Sequence, residues 1–180
     1  MMTHIKNLSL AAMFLGLGLM LPFLTGQIPA VGSMLLPMHI PVLLCGLICG
    51  WQYGLAVGFI VPLLRSMLFS MPPMYPTAVS KAAELATYGF VIGILYARSR
   101  WHCIKALYRS MLIAMLAGRA VWGIVQMALL GVGKDGFTLA MFLSGAFVNA
   151  IPGIVLQLVL IPAVMVALKR AKLLPRKKNT

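Results

Sequence analysis

The chain has 180 residues, 62% of them hydrophobic and only 9% charged, with a mean hydropathy of +1.00. A soluble domain carries about 25% charged residues, so a water-surrounded globular fold is excluded. Glu84 and Asp135 are the only acidic residues, which also excludes paired-carboxylate chemistry within one chain.

A membrane span needs about 20 mostly apolar residues. Six such stretches fill the sequence, at 8–24, 34–50, 53–70, 77–97, 109–131 and 137–168. They predict an all-α membrane protein, a single six-helix transmembrane bundle over 1–180 with both termini cytoplasmic. The first stretch has a basic lead (His4, Lys6) and resembles a signal peptide. However, Pro22-Phe-Leu24 runs into Thr25-Gly-Gln-Ile-Pro29 with no small-residue cleavage site, so it is read as a span. The loop from Thr25 to Ser33 is then long enough to fold over the outer mouth of a bundle. The second span opens Met34-Leu-Leu-Pro37-Met-His39-Ile-Pro41. Its two prolines remove backbone donors and are expected to loosen the helix around His39. Freed carbonyls at that depth are tolerated where they line a protein cavity.

The third span leads from the tight turn Gly50–Gly54 to Arg65 and Phe69, and three prolines stiffen the outer loop that follows, Ser70–Pro76. The fourth span carries Lys81 and Glu84, one turn apart and so on one face. A basic inner loop, Arg98 to Arg109, precedes a fifth span with Arg119 and Gln126. Lys134-Asp-Gly136 forms a polar outer loop. The long sixth span holds Asn149, Pro152, Gln157 and Pro162.

The net charge of +13 raises the possibility of a nucleic-acid partner, but its distribution argues otherwise. With both ends inside, the cytoplasmic side holds eleven of the fifteen Lys and Arg, the outer loops hold Lys134, and the spans hold three. That is the positive-inside bias, and the basic tail reads as an anchor beside anionic lipid, with no nucleic-acid partner. Cys45, Cys49 and Cys103 form no metal or redox motif and read as small packing residues; no metal or cofactor is expected.

Arg65, Lys81, Glu84 and Arg119 lie where a lipid-embedded chain normally has no charge, at about 2.5–3.5 kcal/mol each on insertion scales. At about 1.5 Å per helical residue, these four, with His39 and Asn149, fall in one slab between the outer mouth and the midplane. Two readings compete. In the structural one, Glu84 pairs with Lys81, Arg65 snorkels outward, His39 is a satisfied core residue, and Asn149 and Gln126 bond neighbouring helices. In the functional one, Glu84 neutralises one cation, two remain, and an anion from outside offsets them. Arginine suits a carboxylate through its forked geometry. The candidate substrate-binding set is Arg65, Arg119, His39, Asn149, Lys81, Glu84 and Gln126.

Catalytic signatures are absent from the sequence. There is no H-E-x-x-H, C-x-x-C or G-x-S-x-G, and Gly131-Val-Gly-Lys134-Asp-Gly136 lacks phosphate-loop spacing. The chain is expected to be no enzyme, and any ATP-driven work must come from other subunits. Nor is there a duplicated half of the kind that builds many self-sufficient transporters.

The segment Asn7-Leu-Ser-Leu-Ala-Ala12-Met-Phe-Leu-Gly16 resembles the small-residue motif of S components, the substrate-binding subunits of energy-coupling factor (ECF) vitamin transporters, with Gly16 in place of a second alanine. The stretch Leu35–Gly50, with Pro62-Leu-Leu-Arg65, Met71-Pro-Pro-Met-Tyr-Pro76 and Glu84-Leu-Ala-Thr-Tyr-Gly89, is similar to the pantothenate-like group; Lys81 departs from it, where an apolar residue is common. The resemblance implies a multi-pass protein of the bacterial plasma membrane and a pocket near the outer side capped by the first outer loop. It also implies a small vitamin as substrate, a transmembrane coupling protein docking on Ala12 and Gly16, and two cytoplasmic ATPase subunits. Pantothenate, a small carboxylate with hydroxyls and an amide, fits the charge argument. Other substrates of the class (pyridoxine-type, cobalamin, folate, a queuosine precursor) and an autonomous proton-coupled carrier using Glu84 and His39 remain alternatives.

Overall fold

The computed structural model describes residues 2–25, 37–70, 72–99, 104–131 and 150–171. Every regular element among them is helical. Helix α1 spans Met2–Met20 and tightens into a 3-10 turn, Leu21–Thr25; α2 is His39–Ile48 and α3 is Trp51–Phe69. A π-helical turn at Met74–Ala78 leads into α4, Val79–Arg98; α5 is Ile104–Leu130 and α6 is Ile151–Arg170. Five of these helices are long and apolar enough to cross a membrane, and α2 is the short one.

Two expectations are corrected here. The prolines do not loosen the interior of the second span. Pro37 and Met38 form a turn, and Pro41 sits in the first turn of α2, where its missing N–H leaves no helical bond unmade. The inner loop before the fifth span is also shorter than its charge suggested. Residues 104–117 contain neither Gly nor Pro, and α5 begins at Ile104 and takes in Lys105 and Arg109. Residues 26–36 and 132–149, and with them Asn149 and the Lys134–Gly136 loop, lie outside the described residues.

Successive helices run up and down. The end of α1 meets the end of α3 through Arg65 and Leu19, and the start of α5 meets the end of α6 at Lys105 and Lys169. The bundle therefore has two unlike ends. One carries Lys6, Arg98, Lys105, Arg109, Lys169 and Arg170 on the helix termini. The other carries Arg65, Lys81, Glu84 and Arg119.

Glycines set the closeness of α2, α3 and α4. A Cβ on Gly89 would lie 2.2 Å from the carbonyl oxygen of Gly54, one on Gly54 2.7 Å from Cα of Gly46, and one on Gly46 2.6 Å from the carbonyl oxygen of Gly89. Further along, a Cβ on Gly58 would meet the Leu85 carbonyl oxygen at 2.3 Å and one on Gly93 would meet Trp51 Cα at 2.6 Å. Lipid offers no hydrophobic drive between helices, so close van der Waals approach through small residues is the main source of helix association. These contacts hold α4 against both α2 and α3. The apolar core continues through Leu43, Leu85, Ile92 and Met111 to Ile161 and Met165 on α6.

Helix α1 packs differently on its two sides. Ala11 and Phe14 are buried, and a Cβ on Gly18 would touch Val61 and Pro41. Ala12 is exposed, and a Cβ on Gly16 would meet nothing within 4 Å. The small-residue pair thus lies on the open face.

Candidate functional site

Glu84 lies five residues into α4, about 8 Å from the helix start, with its carboxylate fully buried. Three nitrogens from three helices converge on it. Lys81 Nζ donates to Oε2 at 2.7 Å from one turn earlier on the same helix. Arg119 Nη1 on α5 lies 2.9 Å from Oε1. His39 Nε2, at the first position of α2, lies 3.4 Å from the same oxygen. The close packing of α4 on α2 puts Glu84 opposite His39. A glycine at position 118, whose added Cβ would sit 3.0 Å from the Tyr88 ring, lets α5 bring Arg119 equally near.

Aromatic rings wall the cluster. Tyr88, one turn below Glu84, stands edge-on to the His39 ring with centroids 5.0 Å apart, and it also interacts with Glu84 and Arg119. Lys81 Nζ lies 5.5 Å over the Trp122 ring, within cation–π range. Lys81 and Arg119 share one carboxylate, so the cluster holds one more basic than acidic side chain.

Arg119 is 3% exposed, and its Nε and Nη2 have no hydrogen-bond partner among the described residues. These two groups form the side-on fork of the guanidinium. Nη1 is spent on Glu84, while the Nε–Nη2 edge meets no acceptor among the described residues. His39 Nδ1, Gln126 Oε1 and Gln157 Nε2 are likewise buried without a partner among the described residues. Gln126 follows Arg119 by seven residues on α5 and so lies on the same face two turns further on. Gln157 is on the buried face of α6, with Gly153, Ile161 and Met165, and α6 packs against α2 and α5. A buried polar atom left unmatched costs about 1–3 kcal/mol.

Of the sequence candidates, Lys81, Glu84, Arg119 and His39 come together directly, and Gln126 extends their face. Arg65 is placed elsewhere. Its Nη1 donates to the Leu19 carbonyl at 2.9 Å, closing the end of α1. Its guanidinium lies 5.2 Å and 5.7 Å from the Phe23 and Phe69 ring centroids, two rings that pack edge-to-face at 4.8 Å. Gln157 was not among the sequence candidates; the signal was there, as an amide in an otherwise apolar stretch. Two cavities lie away from the cluster. One, of about 550 Å³, is between the start of α5 and the end of α6; the other, of about 160 Å³, is lined by Leu55, Ala86, Thr87 and Phe90. No group of three or more His, Cys, Asp or Glu able to hold a metal occurs among the described residues.

The family model described as "ECF transporter, substrate-specific component" matches residues 6–165. No curated protein and no solved structure gives a significant match. The match spans most of the chain, and the protein belongs to the family of ECF transporter substrate-specific components, multi-pass membrane subunits that work with a small-molecule substrate and an ECF module. It is a family of transporter subunits and not of enzymes.

Proposed function

We propose that this substrate-specific component captures a small, water-soluble vitamin or related micronutrient bearing a carboxylate, with pantothenate the favoured candidate. The observation that carries the reading is the open Nε–Nη2 edge of Arg119 beside a carboxylate that two cations share. In this reading Glu84 is the internal counter-ion. It holds Arg119 by Nη1 and leaves the fork free for the substrate. A ligand carboxylate there forms two charge-assisted bonds and offsets the excess charge. His39 Nδ1, Gln126 Oε1 and Gln157 Nε2 offer the mixed donors and acceptors that hydroxyls and an amide require. Asn149 is assigned to the same polar set by its place in the sequence. Lys81 holds the Glu84 carboxylate in position and rests on Trp122. Arg65 fixes the end of α1 from which the chain leads toward His39.

The basic end of the bundle faces the cytoplasm by the positive-inside rule, so the Glu84 cluster opens toward the outer side of a bacterial plasma membrane. Ala12 and Gly16 form the flat face on which the transmembrane coupling protein docks, and two ATPase subunits complete the importer. The exposure of Ala12 and the open space beside Gly16 support that reading. The proposal is tested by purifying the chain without added ligand and identifying the co-purified small molecule by mass spectrometry. A stoichiometric monocarboxylate is expected. A stoichiometric neutral or cationic molecule would overturn the assignment.

A further inference from the structure

Tyr88 is buried one turn below Glu84 on α4, where three helices meet. Its ring stands edge-on to His39 of α2, with centroids 5.0 Å apart and planes at 72°. From α5, a Cβ added to Gly118 would lie 3.0 Å from its Cε2 and 3.1 Å from its Cζ. Cζ carries the hydroxyl, so the polar end of the ring reaches the stretch of backbone from which the next side chain, Arg119, departs. The hydroxyl is placed to bond both Glu84 and Arg119.

The chemistry of the three groups fixes the direction of those bonds. A guanidinium only donates, a carboxylate only accepts, and a phenol does both. The Tyr88 hydroxyl therefore donates to Glu84 and accepts from Arg119. Packing does not require that oxygen. A phenylalanine ring would fill the same space against Gly118 and His39, and burying a hydroxyl is costly unless it is bonded.

What the hydroxyl adds is orientation. Arg119 meets Glu84 through Nη1 and Oε1 at 2.9 Å. A single contact of that kind sets a distance but leaves the guanidinium plane free to turn about it. Bidentate capture of a carboxylate depends on the direction of the fork. A second contact, from a ring wedged between His39 and Gly118, removes the freedom to turn.

We propose that Tyr88 is a positioning residue for substrate recognition, which sets the plane of the Arg119 guanidinium and thereby the preference of the site for a carboxylate over the corresponding alcohol. The inference rests on the assignment of Arg119 to the substrate carboxylate. An alcohol gains little from an aligned fork, so the hydroxyl of Tyr88 acts on the preference between the two ligands more than on binding in general.

The test titrates the full chain, purified in detergent, with pantothenate and with panthenol, its uncharged alcohol analogue. The wild type is expected to prefer pantothenate by roughly thirtyfold or more, the difference between two charge-assisted and two neutral bonds. Tyr88→Phe should weaken pantothenate binding about tenfold and leave panthenol within about threefold, with the melting temperature moved by only a few degrees. Gly118→Ala keeps the hydroxyl but pushes the ring aside, and it should shrink the preference in the same direction; it carries the comparison if Tyr88→Phe does not fold. In the ligand-free protein, Tyr88→Phe and Arg119→Gln should be non-additive in melting. A wild-type preference that persists unchanged in both variants would overturn this proposal alone. Equal losses for the two ligands would overturn it as well, by placing the hydroxyl on the substrate itself. A wild type without any preference would overturn the carboxylate assignment and this inference with it. Additive melting of the two substitutions would overturn it whatever the ligand.

Discussion

Replacing Arg119 with Gln tests the binding proposal most sharply, because the substitution removes the open fork while leaving the internal ion pair nearly whole. In Arg119→Gln, Glu84 keeps Lys81 at 2.7 Å and His39 at 3.4 Å. The lost Nη1 bond at 2.9 Å is offset by removal of the excess positive charge, so the melting temperature should move by only a few degrees. Ligand affinity should not be spared. A hydrogen bond to a charged group is worth about 1.5–3 kcal/mol, so the two bonds from Nε and Nη2 amount to about 3–6 kcal/mol. Each 1.4 kcal/mol is about tenfold in affinity, which gives a loss of roughly two to four orders of magnitude. Arg119→Lys restores the charge but not the fork and should recover only a small part of it. The assay is calorimetric titration of purified protein with pantothenate and with the co-purified molecule, alongside thermal melts. A folded Arg119→Gln protein that binds within about threefold of wild type would refute the reasoning.

Three further outcomes follow from the geometry. Glu84→Gln leaves the buried Arg119 and the half-buried Lys81 without their carboxylate and should destabilise the protein by about 3–5 kcal/mol; Glu84→Gln/Arg119→Gln should melt above Glu84→Gln alone, and strict additivity in that cycle would count against a shared ion cluster. Gly89→Ala forces a Cβ to 2.2 Å from the Gly54 carbonyl oxygen and should cost about 3 kcal/mol, whereas Gly16→Ala should leave the melting temperature unchanged; equal melting of the two would show that the glycine contacts do not set the packing. Arg65→Gln should lower stability by about 1–2 kcal/mol, through the lost bond to Leu19 and the lost ring contacts, with ligand affinity unchanged. A large affinity loss there would return Arg65 to the substrate site.

Much of the cluster could be read from spacing alone. Lys81 and Glu84 at i and i+3 must share a face of any helix, and Arg119 and Gln126 seven apart must share another. What spacing cannot supply is where one helix ends against another. Arg65 and Arg119 look alike in the sequence, each a lone cation deep in an apolar run. They differ because α1 stops at a level where its last carbonyls face α3, giving Arg65 an acceptor within its own fold, whereas Arg119 faces a carboxylate already shared with Lys81. The same blindness applies to Gly46, Gly54 and Gly89. One glycine in a span is unremarkable, and only the crossing of three helices makes these three touch. Pro41 shows the converse error, in which a residue that disrupts a helix interior is harmless once the helix begins two residues before it.

The placement of Arg65 bears on how the proposed binding site and the proposed docking face are related. Helix α1 buries Ala11, Phe14 and Gly18 on the side toward α2 and α3, and leaves Ala12 and Gly16 on the opposite side. Its far end is held by Arg65 through a carbonyl and two aromatic rings. From that end the chain reaches His39, which touches Glu84, after fourteen intervening residues beyond Leu24. In the proposed reading, a force applied to the open face of α1 would act at two places. One is the packing of Gly18 on Val61 and Pro41, the other the Arg65 clasp. Pro41 is two residues from His39 in the same first turn of α2. Rotating or shifting α1 presses on the turn that presents the histidine. The residue that resembles Arg119 in the sequence serves in the fold to keep that lever attached, and this is why its loss should appear in stability before it appears in affinity.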